Sequence, residues 1–121
     1  MRCQEMRTGR CFDVLLDYGE DINAPLRDLA RREGITTAVV TAGLGGFNRF
    51  ALGYAQRPGD LWEDHVLQLA SVQGMIIDGE PQIHAVVTLD GLEGITRAGR
   101  CEDGCQRLFY GQFLVQELLP L

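Results

Sequence analysis

Lysine is absent from this chain, and serine occurs once, at Ser71. All 11 basic residues are therefore arginine, a usage we attribute to genome composition rather than to function. With one serine, and no nucleophile beside a base at a diagnostic spacing, the sequence leans away from an enzyme. Histidine is nearly as scarce, with His65 and His84 alone. Positive charge is in deficit: 17 acidic residues against 11 basic give a formal net charge of −6. Binding to nucleic acid is driven mainly by neutralising phosphates with Lys and Arg, so this balance opposes direct contact with DNA. The one candidate basic patch is the start of the chain, where Arg2, Arg7 and Arg10 face a single Glu5. No apolar run exceeds the length of a strand, and no charged leader precedes one, so we expect no membrane contact and a cytoplasmic location. The four cysteines are accordingly expected as reduced thiols. Internal repeats and low-complexity tracts are lacking as well.

What is present has the proportions of one globular domain over residues 1–121. Hydrophobic residues make up 45% and charged residues 23%, and a chain of this length can bury a core without cross-links. Phe12, Val14, Leu16 and Tyr18 alternate with Asp13, Leu15 and Asp17, which predicts a strand over 11–18. After a turn at Gly19, either Asp21 or Asn23 is expected to cap a helix with Pro25 in its first turn and Leu26, Leu29 and Ala30 on its apolar face. Gly34 stops it. A second strand is expected over 36–41 and another from Phe47 to Tyr54. Between them, Gly43, Gly45 and Gly46 fit a bend, bulge or close backbone approach better than a phosphate cradle, since no helix opens after them. A polar loop over 56–63 precedes a strand over 66–77. A hairpin turn at Asp78-Gly79 then leads into a strand over 79–89.

That last strand carries the candidate site. Gln82, His84, Val86 and Thr88 fall on one face, Ile83, Ala85, Val87 and Leu89 on the other. One face is wholly apolar, while the other sets an imidazole two residues after an amide. His65, in the acidic run Glu63-Asp64-His65, has the look of an exposed loop end and receives no role. Residues 90–106 show no apolar period and are expected to form a loop insertion. Cys101 and Cys105 lie within it, but their spacing, even with Cys3 and Cys11 added, does not fit a four-thiolate zinc site. A redox pair is the other special role open to them, and ordinary thiols are the simplest reading. A strand over 108–114 closes the pattern, with 115–121 extending it or forming a short final piece. Arg7-Thr8-Gly9-Arg10 lacks the order and the proline of an AT-hook.

Taken together, Gly19-Glu20-Asp21-Ile22, Leu26 and Leu29, Gly34-Ile35, Ala42-Gly43, Gly53-Tyr54, the stretch 69–74, and Asp78-Gly79-Glu80-Pro81 with His84 follow a familiar order and spacing. In these the chain resembles the plant and prokaryote conserved (PPC) domain, prokaryotic stand-alone type, over residues 10–89 and again over 107–113. The resemblance implies an α+β fold, a mostly antiparallel sheet with one main helix packed on it, assembled as a homotrimer. Members of that family usually carry a provisional DNA-binding label, which implies a role in transcription regulation. Prokaryotic members often hold a divalent metal such as zinc with a His-x-His pair and a further histidine in a Gly-Gly-His-Leu stretch. Here those positions read Gln82-Ile83-His84 and Tyr110-Gly111-Gln112-Phe113, and a frequent glutamate is Gln68. Zinc favours imidazole, thiolate and carboxylate over an amide oxygen, so neither a metal at His84 nor any other cofactor is expected. The expected ligand pocket is formed by His84, Gln82, Gln112 and Gln68, with Gln112 on a strand neighbouring that of His84. The expected function is a trimeric module that binds a regulatory protein or a small ligand. The alternative is a metal- or small-molecule-dependent enzyme using an inter-subunit pocket around His84.

Overall fold

In the computed structural model, which describes residues 1–89 and 94–121, alternation of apolar and polar residues becomes burial almost position by position. Pro81, Ile83, Ala85, Val87 and Leu89 are buried, while Glu80, Gln82 and His84 between them are exposed. The elements in chain order are β1 (Met6–Leu15), α1 (Asn23–Glu33), β2 (Thr37–Gly53), β3 (Asp60–Ile77), β4 (Glu80–Leu89), β5 (Ile95–Cys101) and β6 (Gln106–Pro120). The strands form one sheet in the order β1-β6-β2-β3-β4-β5, antiparallel at every pairing. β5 also reaches the end of β2, where Leu52 faces Cys101 and Gly53 faces Arg100. β2, β3, β4 and β5 thus close into a small ring, and β1 is left as the edge beyond β6.

The inner face is filled by Phe47, Phe50, Leu67, Ile83, Phe113 and Val115, all essentially inaccessible. Phe47 and Phe50 meet edge to face with centroids 5.2 Å apart, a geometry aromatic rings prefer over a stacked sandwich. Leu26, Leu29 and Ala30 of α1 belong to the same buried cluster. The helix ends as its glycine dictates: Gly34 adopts φ 67°, left-handed, and its N–H returns to the Ala30 carbonyl. Its start differs from expectation, for Ile22 occupies the N-cap position without a side-chain cap. The Asp21 carboxylate instead accepts from the N–H groups of Ile22, Gly104 and Cys105. Asn23 donates to the Cys101 carbonyl and to Asp103. Both candidate caps are drawn off by the turn between β5 and β6.

Four further expectations change. The two strands foreseen around the glycine cluster are one continuous strand, β2, with shifts of register between Val40 and Ala42 and between Gly46 and Arg49. Close approach explains the glycines: a Cβ on Gly45 would come 2.5 Å from the Phe47 ring and 2.9 Å from the Tyr110 carbonyl, and one on Gly43 would overlap Val72 and Phe113. The polar stretch ahead of residue 66 is largely strand, β3 beginning at Asp60, so His65 stands in a strand, half-buried. Residues 95–101, expected within a loop, form β5, while 90–93 lie outside the described residues. The first strand begins earlier than its alternation showed, and the last runs unbroken to Pro120.

One buried charge stands out. Glu117 on β6 is 6% exposed and accepts from the Arg10 backbone N–H at 3.1 Å and from its guanidinium at 3.0 and 3.1 Å. These hydrogen bonds hold the Glu117 carboxyl below the usual carboxylate range. Among the described residues, no helix is long and apolar enough to cross a membrane.

Candidate functional site

The two-residue turn at Asp78-Gly79, with Asp78 at φ 51° and Gly79 at φ 79°, sets Ile77 opposite Glu80, as a tight hairpin of this kind must. Counting back along β3, Met75 falls opposite Gln82 and Gln73 opposite His84. A shift of register between Leu69 and Ser71 then brings Gln68 opposite Thr88. On the far side of β4, Arg100 of β5 faces His84. Strand geometry thus gives His84 two neighbours, Gln73 and Arg100, that the pattern of β4 alone does not reveal.

Gln82, His84, Gln68 and Gln112 all fall on the outer face of the sheet, away from the buried cluster. His84 lines a shallow cleft of about 300 Å³ with Ser71, Gln73, Val86 and Ala98. Gln82 is exposed beside Met75. Gln68 lies instead in a groove of about 420 Å³ with Leu44, Val66, Phe109 and Tyr110. Gln112 borders a smaller one of about 190 Å³ with Ala42, Leu44 and Leu114. Leu44 is common to both grooves. Within one chain, then, Gln68 and Gln112 flank Leu44, and His84 occupies a separate cleft.

The placement of Gln112 corrects the expected neighbourhood. It sits on β6, opposite Leu15 of β1 and Leu44 of β2, and β2 and β3 intervene before β4. Three strand spacings of ~4.8 Å put about 14 Å between β6 and β4. Its amide is also engaged at home, donating to Asp13 at 2.6 Å and accepting from the Tyr110 hydroxyl.

Arg100 pairs with His84 in the strand register, but its guanidinium turns to Glu102 beside Gly53. The guanidinium donates to Glu102 at 2.7 and 3.2 Å, which raises it further above its ordinary value and keeps it charged. The cleft itself offers an imidazole, a hydroxyl and an amide as donors and acceptors. Among the described residues, no three His, Cys, Asp or Glu side chains are gathered as a metal site would require.

The outer face is also apolar. Leu15, Leu44 and Phe109 are about 60% exposed, and Val66, Tyr110 and Leu114 about 40%. Neither Leu44 nor Phe109 announces this from sequence. Leu44 stands in a glycine-rich stretch without alternation, and only the register of β2 with β6 and β3 shows that these side chains converge.

Several solved structures share this architecture. A PPC protein from Pyrococcus horikoshii superposes with a TM-score of 0.80 at 26% identity, covering 100% of this chain and 87% of its own. A metal-containing protein from Archaeoglobus fulgidus gives 0.82 at 20% identity, covering 99% and 87%. A protein from Bacteroides thetaiotaomicron, described provisionally as DNA-binding, gives 0.74 at 14% identity, covering 93% and 83%. No curated protein matches the chain. The sequence itself matches the Plants and Prokaryotes Conserved (PCC) domain over residues 3–119. With that match spanning nearly all of the antiparallel sheet together with α1, the chain belongs to the plant and prokaryote conserved domain family.

Proposed function

We propose that this chain assembles as a homotrimer through the outer face of its sheet and serves as a regulatory binding module that meets a protein partner or a small ligand. The observation that carries this reading is the run of exposed apolar side chains around Leu44, from Leu114 through Phe109 to Val66. An apolar face of this kind is stabilised by burial against another, and a second copy offers the same chemistry. The number three rests on the family likeness, while the face itself requires only a like partner. In this reading α1 packs on the inner face through Leu26 and Leu29, leaving the outer one for assembly.

The DNA-binding description of the Bacteroides relative transfers poorly to a chain of net charge −6, because that charge, repeated in each copy, opposes the approach of phosphate. Zinc fits no better. Around His84 a cation would meet an amide and a hydroxyl, neither of them a favoured ligand. A neutral or weakly anionic small molecule suits these donors and acceptors. The enzymatic alternative draws support from Ser71 and His84 sharing one cleft, yet the residues lining that cleft include no carboxylate to orient the imidazole.

The test is disruption of the face. Leu44→Asp and Phe109→Asp should each yield a folded, smaller species by size-exclusion chromatography. Tyr18→Asp, at a residue 71% exposed in the turn before α1, should leave assembly intact. Unchanged assembly in both face variants would refute the proposal.

A further inference from the structure

The turn that takes the helix caps also holds the two buried thiols. Cys101 ends β5 and Cys105 precedes β6, each 3% exposed, and their sulfur atoms are 3.7 Å apart. Both sit near one acceptor, the Glu102 carbonyl, at 3.8 Å from Cys101 and 3.6 Å from Cys105. Their proximity is enforced from outside the turn. Asn23 clasps the Cys101 carbonyl at 3.0 Å, and Asp21 clasps the N–H groups of Gly104 and Cys105 at 3.2 and 3.0 Å. The two ends of the turn are thereby tied to the same end of α1. Gly104, at φ +99° with nothing near its missing Cβ, gives the turn a residue that can adjust.

From this geometry we propose that Cys101 and Cys105 are a reversible oxidation site, converted by a small hydroperoxide into an intramolecular disulfide. The sulfurs need to close from contact distance to a bond of about 2.05 Å, a movement within reach of a turn pivoting at glycine. One thiol, deprotonated, attacks the peroxide oxygen to give a sulfenic acid, and the departing hydroxide takes up the thiol proton as water. The second sulfur then displaces the sulfenic oxygen, which leaves as water with the second thiol's proton, and the S–S bond forms. For hydrogen peroxide, two thiols and one peroxide become one disulfide and two waters. Reduction by an external dithiol reverses it.

Burial selects the oxidant and the pace. The hydrogen bond with Cys105 and then burial push the Cys101 thiol up, so the reacting thiolate is scarce at neutral pH and the reaction is slow. Only an oxidant of about the size of water enters readily. Cys3 and Cys11, exposed and free, offer no such enclosure.

The site is tested with the full chain carrying Cys3→Ser and Cys11→Ser, so that only the buried pair can react. After treatment with hydrogen peroxide, thiols are alkylated under denaturing conditions and the intact mass is read. The expected result is joint loss of both alkylatable thiols with a mass lower by two hydrogens, restored by dithiothreitol, at a rate that rises with pH. Persistence of both thiols after the methionines have oxidised would overturn the proposal. So would oxygen atoms added to either sulfur without a disulfide.

Discussion

Gln73 opposite His84 is the residue-scale surprise with the simplest origin. A two-residue hairpin turn makes the pairing of β3 with β4 a matter of counting, and Asp78-Gly79 is visible in the sequence. The count from Ile77 and Glu80 reaches Gln73 and His84 before the register shift that displaces Gln68. Arg100 was hidden for another reason: its strand has no apolar period, so nothing marked it as a neighbour. The positions permit a two-sided zinc experiment. Gln82→His with Gln73→His gives three imidazoles on adjacent strand positions of one chain, and we expect zinc binding detectable by calorimetry whatever the assembly state. Gln82→His with Gln112→His places the third imidazole about 14 Å away by strand spacing, so its zinc affinity should appear only when chains assemble. Equal zinc affinity in assembled protein and in a Leu44→Asp background would contradict this.

Glu117 carries a second expectation at this scale. Its carboxyl is lowered by Arg10 in the folded chain, so the unfolded state binds the proton more readily as the pH falls. The stability it contributes is fully present above the ordinary carboxylate pKa of about 4.3 and is lost as pH drops through the lower folded value. Urea midpoints measured from neutral to acid pH should therefore fall less steeply for Glu117→Gln than for the natural protein. A parallel pair of curves would show that the Arg10 contact is not linked to protonation.

At the scale of elements, strands and helix were legible wherever one face is buried and the other wet. β4 is the clearest case, its alternation surviving intact into burial. In sequence β2 reads as two strands because its glycines look like punctuation. In the fold they are places where Phe113, Val72 and the β6 backbone press too close for a Cβ. β5 was missed because its outward residues, Thr96, Ala98 and Arg100, alternate with Arg97 and Gly99 rather than with apolar side chains. The helix stops at its glycine as its sequence dictates but lacks a side-chain cap, since a tertiary turn outcompetes local hydrogen bonding for Asp21 and Asn23. Gly74, inside β3, has the same tight surroundings: a Cβ there would run into the Gln82 carbonyl and the Ile83 backbone. Backbone atoms cannot step aside as a flexible side chain can. Gly74→Ala should thus cost about 1–3 kcal/mol in chemical denaturation, the range of overpacking, and a change within experimental error would mean that β3 and β4 separate freely at this point.

For the whole molecule, charge and surface chemistry point in one direction. The outer face is apolar and rich in amides, and the chain's formal charge is −6. Duplex DNA should bind no better than non-specifically at physiological salt, and fluorescence anisotropy with a labelled duplex measures it. Sequence-selective binding retained at that salt would require a local basic surface strong enough to overcome this charge. Neither the grooves around Leu44 nor their continuity could be read from one-dimensional pattern, because they arise where β6, β2 and β3 lie side by side. Assembly is the claim on which the rest depends, and sedimentation equilibrium of the natural protein tests it most directly. The account predicts a single species of three times the 13.4 kDa of one chain, stable across moderate dilution. A species of 13.4 kDa at those concentrations would contradict it.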